Sequence, residues 1–204
     1  MIAVSLSLVQ MCHQQLKNNA VKGCKNMSDI MLDLETLSTR PEATIVTFGA
    51  CKFNPYKRHE IVDGIYFRVN VDEQLALGRH IDDNTVAWWG TQAEDVREEA
   101  LGEGNRISLE EFTHQLNKFL VGCDNIWAQG PVFDIVILEN LYRQLNLPCP
   151  WNFWQIRDSR TLLSTHGDPR DKNKAGLHNA LEDAVSQAQA VQTVFEQCGI
   201  TEKK

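Results

Sequence analysis

From Ile30 onward, apolar positions recur with the two periods of regular secondary structure. Asp29 to Leu34, Ala43 to Phe53 and Ile61 to Val69 read as three strands, the second carrying the β-branched run Thr44, Ile45, Val46 and Thr47. Asn54-Pro55 ends the second strand, and Asp63-Gly64 predicts a bulge or turn near the start of the third. Asp82 to Trp89 reads as a short helix with Asp82 or Asp83 as its N-cap, where a side-chain oxygen accepts from first-turn amides. Ser108 followed by Glu111 has the form of a capping box. The helix it opens carries Leu109, Phe112, Leu116, Phe119 and Leu120 on one face.

A short strand at Asn125 to Ala128 follows, then a helix from Phe133 to Leu145 and an extended piece at Ile156 to Asp158. The last helix runs from Asn179 to Cys198, with Ala180, Leu181, Ala184, Val185, Ala188, Val191, Val194 and Phe195 at helical spacing. Three strands followed by alternating helix and strand predict an α/β fold, a central mixed five-stranded sheet flanked by helices.

Residues 1–26 fit neither period. They turn polar after residue 10 (His13, Gln14, Gln15, Lys17, Asn18, Asn19) and precede a second methionine, Met27. The expectation is a poorly ordered or weakly helical extension over 1–26, leaving open whether it belongs to the natural protein, and one domain over 27–204. The apolar start, Met1 to Val9, has no basic residues before it and no small-residue cleavage site after it, so it fails as a secretory signal. No stretch approaches the roughly 18 consecutive apolar residues of a membrane span.

Composition changes this picture little. With 204 residues, 43% of them hydrophobic and 23% charged, the chain has the make-up of one ordinary globular domain. The six cysteines (Cys12, Cys24, Cys51, Cys123, Cys149 and Cys198) are scattered without C-x-x-C pairs. They read as reduced thiols of a cytoplasmic protein. The net charge of −7 disfavours a protein that coats nucleic acid through phosphate contacts, since such binding draws on basic residues. An enzyme that grips a phosphate through metal ions tolerates acidity, because its own site needs carboxylates.

Three segments carry candidate chemistry. In Ile30-Met31-Leu32-Asp33-Leu34-Glu35-Thr36, Asp33 and Glu35 stand two apart on a strand and point to the same face. Their mutual repulsion is relieved by a hard divalent cation; a strand ending in two solvated acids is the plainer alternative, and the segment alone does not choose. Asp134 opens a helix after a Gly130-Pro131 loop, where, taken alone, a carboxylate stabilising the helix dipole is the commoner role. His178 precedes Asp183 by five residues, about 140° apart on an ideal helix, so the two converge only if His178 lies in the loop before it. Gly176 suits such a loop, and Glu182, the rival acid, is expected to face solvent.

Together the ordered set D-x-E, F-D at a helix start and H-x-x-x-x-D at the last helix resembles the DEDDh branch of the DnaQ-like 3′→5′ exonucleases, over residues 28–198. Asn84-Thr85-Val86-Ala87-Trp88-Trp89 and the stretch from Asn152 to Thr161 are most similar to the phage-type exonuclease A group. The resemblance implies an RNase H-like fold and a metal-dependent exonuclease. Asp33, Glu35, Asp134 and Asp183 would hold two Mg²⁺ ions, with Mn²⁺ substituting, and neutral His178 would take a proton from the attacking water. Single nucleotides would be removed from 3′ ends of single-stranded DNA or RNA, with DNA favoured.

Candidate substrate contacts are Leu34 and Thr36 beside the acid pair, Phe133, Trp88 and Trp154 for stacking, and Arg157 and Arg160 for phosphates. At least one of Trp88 and Trp89, and Phe133, are also candidates for the core. Asp158 is read as a supporting acid or an arginine partner. A non-catalytic nucleic-acid-binding module is disfavoured because all five catalytic positions are filled. A two-carboxylate glycosidase would leave His178 and Asp183 idle.

Overall fold

The computed structural model describes residues 28–170 and 178–202. Among the described residues, six strands form one sheet: β1 (Ser28–Thr36), β2 (Ile45–Phe53), β3 (Ile61–Val69), β4 (Arg106–Ile107), β5 (Cys123–Ala128) and β6 (Ile156–Asp158). Their spatial order is β4-β3-β2-β1-β5-β6. β1, β2 and β3 form an antiparallel meander, whereas β5 pairs parallel to β1, β6 parallel to β5 and β4 parallel to β3. The sheet is mixed and helix-flanked as the pattern predicts, with one strand more than the five expected. The extra strand is two residues long, matching Arg68 to Arg106 and Val69 to Ile107, too short to show any alternation.

Among the described residues, seven α-helices accompany it: α1 (Val71–Ala76), α2 (Asp83–Gly90), α3 (Glu94–Leu101), α4 (Leu109–Leu120), α5 (Asp134–Gln144), α6 (Ser159–His166) and α7 (Ala180–Gln197). Four of these match the expected helices, and their caps explain the starts. Asp82 accepts from the Thr85 amide at 3.0 Å and Ser108 from the Glu111 amide at 3.1 Å. The Glu111 carboxylate accepts a hydrogen bond from the Gln115 side-chain amide at 2.6 Å instead of completing the reciprocal box. Short α1, α3 and α6 carry no long apolar stripe and are found only in the structure. Gly64 lies inside β3 opposite Cys51, and the β2–β3 register slips between Lys52 and Phe53, beside the expected irregularity.

The alternation along β1 divides the core. Ile30, Leu32 and Leu34 face a cluster with Phe48 of β2, Phe112 and Leu116 of α4, and Leu138, Leu141 and Tyr142 of α5. Met31 faces the other way, into Cys51, Phe53, Trp127 and the small residues Ala184 and Ala188 of α7. Alanines on α7 let that helix lie close against the sheet. Among the described residues, no helix is long and apolar enough to cross a membrane. The expected extension over residues 1–26, and Gly176, lie outside the described residues.

Candidate active site

Asp33 and Glu35 continue the Met31 face, so they point toward α7 at the end of β1. Because β5 runs parallel to β1, the chain leaves β5 at this same end, turns through Gly130 (φ 115°) and enters α5 at Asp134. The positive φ is a conformation glycine adopts without strain. Asp134 is buried, and its Oδ1 accepts from the backbone amide of Leu34 at 3.2 Å, tying the helix start to the strand between the two other acids.

The fourth acid arrives because of a glycine. Gly49 stands opposite Asp33 in the β1–β2 ladder. A Cβ there would sit 2.1 Å from the Ala180 carbonyl carbon and 2.1 Å from the Leu181 nitrogen. Only a residue without a side chain lets the first turn of α7 descend onto the sheet beside Asp33. Asn179 caps that turn, accepting from the amides of Leu181 and Glu182 at 3.1 Å each. His178 precedes the cap with φ 42°, off the helix, which removes the angular separation an ideal helix would impose. Ligand atoms of Glu35, His178 and Asp183 lie within 4.8 Å of one another, and His178 Nδ1 is 3.8 Å from Glu35 Oε1.

Crowding these acids has an electrostatic consequence. Burial, reinforced by Asp134, Glu35 and Asp183, holds the Asp33 carboxyl well above the usual carboxylate range, against a hydrogen bond from Gln187. Burial and the charges of Asp183 and Asp134 push Glu35 up to about 8. Burial raises Asp134 to about 7, opposed by two backbone amides and by Arg160. Asp183 is raised by burial, with His178 and Arg170 pulling it back. Among the described residues no Lys or Arg lies within ion-pair distance of any of the four. Such a set fits a hard divalent cation, which takes carboxylate oxygens and supplies the missing positive charge.

A cleft of about 560 Å³ opens beside these acids, lined by Leu34, Glu35, Thr36, Thr39, Asp82, Asn84, Thr85, Trp88 and Phe133. Four of the candidate substrate contacts therefore share one wall system: Leu34, Thr36, Trp88 and Phe133. The tryptophan pair divides its labour. Trp88 is 41% exposed, its ring 4.9 Å from and nearly perpendicular to the His178 ring, whereas Trp89 is 1% exposed and donates its indole N–H to the Thr36 carbonyl. Phe133 lines the cleft and also packs against the main core. The Thr36 hydroxyl donates to the Ser38 carbonyl at 2.7 Å, which leaves its oxygen as an acceptor only.

Arg160 stays near the acids, donating to the Gln129 carbonyl at 2.7 Å while its charge acts on Asp134. Trp154 and Arg157 are placed elsewhere. Trp154 precedes β6, and the parallel run of β1, β5 and β6 puts that point at the opposite end of the sheet from Glu35. Arg157 donates to the carbonyls of Trp154 and Ile156, and its charge acts on Asp29 at the start of β1. Asp158 caps α6, accepting from the Arg160 amide at 3.0 Å. Glu182 is half-buried and is raised by burial, Asp183 and Glu99, not the solvated acid expected. Sequence reasoning also passed over Gly49 and Gln187; a glycine inside a strand is the signal that marks the first as a place of close backbone approach.

The mixed, helix-flanked sheet has the RNase H-like fold of solved nucleases, one of them a DEDDh family member, and here carries an acid pair at the end of a central strand, two further acids from flanking helices and a histidine beside them. The chain belongs to the Rv2179c-like 3′-5′ exoribonuclease domain family, whose model matches residues 28–195. It is thus a member of a family of 3′–5′ exonucleases. Among solved structures it is similar to cell-death related nuclease 4 (CRN-4), at 15% identity and a TM-score of 0.58, covering 87% of this chain and 66% of that one. The nuclease domain of 3′hExo, a DEDDh family member bound to rAMP, matches at 15% identity and a TM-score of 0.54, over 87% of this chain and 95% of its own. Exonuclease X in complex with 5′ overhanging duplex DNA matches at 16% identity and a TM-score of 0.53, over 84% and 93%. At these identities the likeness is one of fold. No curated protein matches the chain.

Proposed function

We propose that this chain hydrolyses the 3′-terminal phosphodiester of single-stranded nucleic acid and releases nucleoside 5′-monophosphates one at a time. The observation that carries this reading is the convergence of Asp33, Glu35, Asp134 and Asp183 with no Lys or Arg among the described residues within ion-pair distance of them. The four would hold two Mg²⁺ ions, with Mn²⁺ as a substitute. When bound, the ions supply charge neutralisation at the scissile phosphate and a water of lowered pKa. His178, outside the helix and facing Glu35, takes the proton of the attacking water. The water oxygen bonds to phosphorus, the bond from phosphorus to the 3′-oxygen of the penultimate nucleotide breaks, and that oxygen leaves protonated by solvent. Trp88 and Phe133 give the terminal base two aromatic surfaces, and Leu34 lines the same cleft.

We take the strand to be RNA, on the description of the family. The stretches Asn84 to Trp89 and Asn152 to Thr161, with their likeness to phage-type exonuclease A, support single-stranded DNA as the second reading. Incubation of the full chain with 5′-labelled RNA and DNA oligomers of one sequence, with and without Mg²⁺, tests both. A ladder of products shortened from the 3′ end, with Mg²⁺ only and faster on RNA, is the expected result. Faster shortening of DNA would select the second reading, and internal cleavage or metal-independent cleavage would reject both.

A further inference from the structure

Helix α7 delivers more than Asp183 to the site. Gln187 lies one turn further on, about 40° around and 6 Å along the helix, so both side chains leave the same face. It is 4% exposed, and its Nε2 donates to Asp33 Oδ1 at 2.8 Å. Facing the ionised Asp33 of a cation-bound site, only the NH₂ end of the amide can donate, and Gln187 Oε1 is left buried with no hydrogen-bond partner among the described residues.

Two other buried glutamines show what a purely structural amide does here. Gln74 accepts from the Ile45 amide and donates to the Ile45 and Asn70 carbonyls. Gln192 accepts from the His59 amide and donates to the Asn54 and Glu60 carbonyls. Both use each end on backbone. Gln187 alone among these three forgoes one end and spends the other on a site carboxylate. Unpaired buried carbonyls weaken a fold, so this arrangement points to a return outside stability.

We propose that Gln187 is a positioning residue for the cation site: its amide fixes the Asp33 carboxylate and ties α7 to β1, so that Asp33 and Asp183 present a shared geometry. This rests on the metal reading above, in which Asp33 and Asp183 are ligands. Partners that orient a ligating group commonly change metal affinity or activity about 10- to 100-fold when removed.

Gln187→Met keeps the length of the side chain while deleting both the donor and the orphan carbonyl; Gln187→Leu is a second variant with a different shape. Mn²⁺ binding to the full chain without nucleic acid is followed by calorimetry, with Asp33→Asn as the control that identifies the site. Thermal midpoints are measured in EDTA alongside. The expected result is a midpoint no lower than wild type, with Mn²⁺ affinity weakened about tenfold or more and the half-saturating Mg²⁺ for hydrolysis raised in parallel. Wild-type affinity in both folded variants overturns the proposal, as does a loss of affinity no greater than the loss of stability explains. Failure of the wild-type chain to bind Mn²⁺ overturns the metal reading itself, and is seen without any Gln187 variant.

Discussion

A carboxyl group stripped of water and set among its own kind keeps its proton unless a cation arrives, and each residue of the site can be judged by that rule. In the proposed reaction His178 has a different duty, taking the proton of the attacking water; its ring lies against Trp88 and near Glu35. His178→Ala should lower turnover about 10²- to 10⁴-fold at neutral pH, with partial recovery as hydroxide becomes abundant. A pH–rate profile of the variant checks this; an unchanged rate at neutral pH would remove His178 from the reaction. The two adjacent tryptophans make a paired test. Trp88→Ala, at an exposed ring on the cleft wall, should raise KM by roughly 5- to 150-fold with little change in thermal midpoint. Trp89→Ala, at a buried ring holding the Thr36 carbonyl, should instead destabilise the fold by about 3–5 kcal/mol. Denaturation and steady-state kinetics on both variants separate the roles, and a reversed pattern would mean the cleft is not the nucleotide site.

At the scale of elements, the site is an assembly problem: a strand, a helix start after β5 and a second helix start near the end of the chain have to meet. Gly49 governs the last of these, since the Ala180 and Leu181 backbone occupies the space its side chain would need. Backbone cannot rotate aside as a side chain does. Gly49→Ala should displace the start of α7, carrying His178 and Asp183 away from Asp33, and reduce activity on the order of 10²-fold. It should also lower the thermal midpoint. Full activity in this variant would show that the close approach does not set the position of Asp183. The predicted caps Asp82 and Ser108 were legible because capping is a local, side-chain-to-amide affair that a few neighbouring letters reveal. The approach of α7 to Gly49 joins residues 131 positions apart, and no local window contains it.

For the whole molecule, the raised carboxyls couple stability to pH and to cations. In the unfolded chain Asp and Glu ionise near pH 4. In the folded chain Glu35 reaches about 8 and Asp134 about 7, so between these limits the native state binds more protons than the unfolded one. Stability from these groups is complete below about pH 4 and is lost as pH rises through 7 and 8. In EDTA the thermal midpoint should therefore fall between pH 5.5 and 8.5 more steeply than in an Asp33→Asn, Glu35→Gln double variant. Saturating Mg²⁺ should restore most of the loss at pH 8.5, because it binds the ionised acids of the native state. Scanning calorimetry across that range tests this, and a midpoint indifferent to Mg²⁺ at high pH would count against a cation site.

The order of the main strands and long helices, the acid pair on one strand face and the spacing from His178 to Asp183 were all settled by sequence, because each depends on a short-range period of two or 3.6 residues. Short β4 and helices α1, α3 and α6 were not, since their boundaries are fixed by packing and not by pattern. Tertiary structure alone decided that Trp88 faces the cleft while Trp89 is buried, that Trp154 and Arg157 sit away from the acids, and that Gln187 reaches Asp33. The reason is physical: strand direction and helix approach determine which ends of the chain's segments share a place, and those are properties of contacts between distant residues.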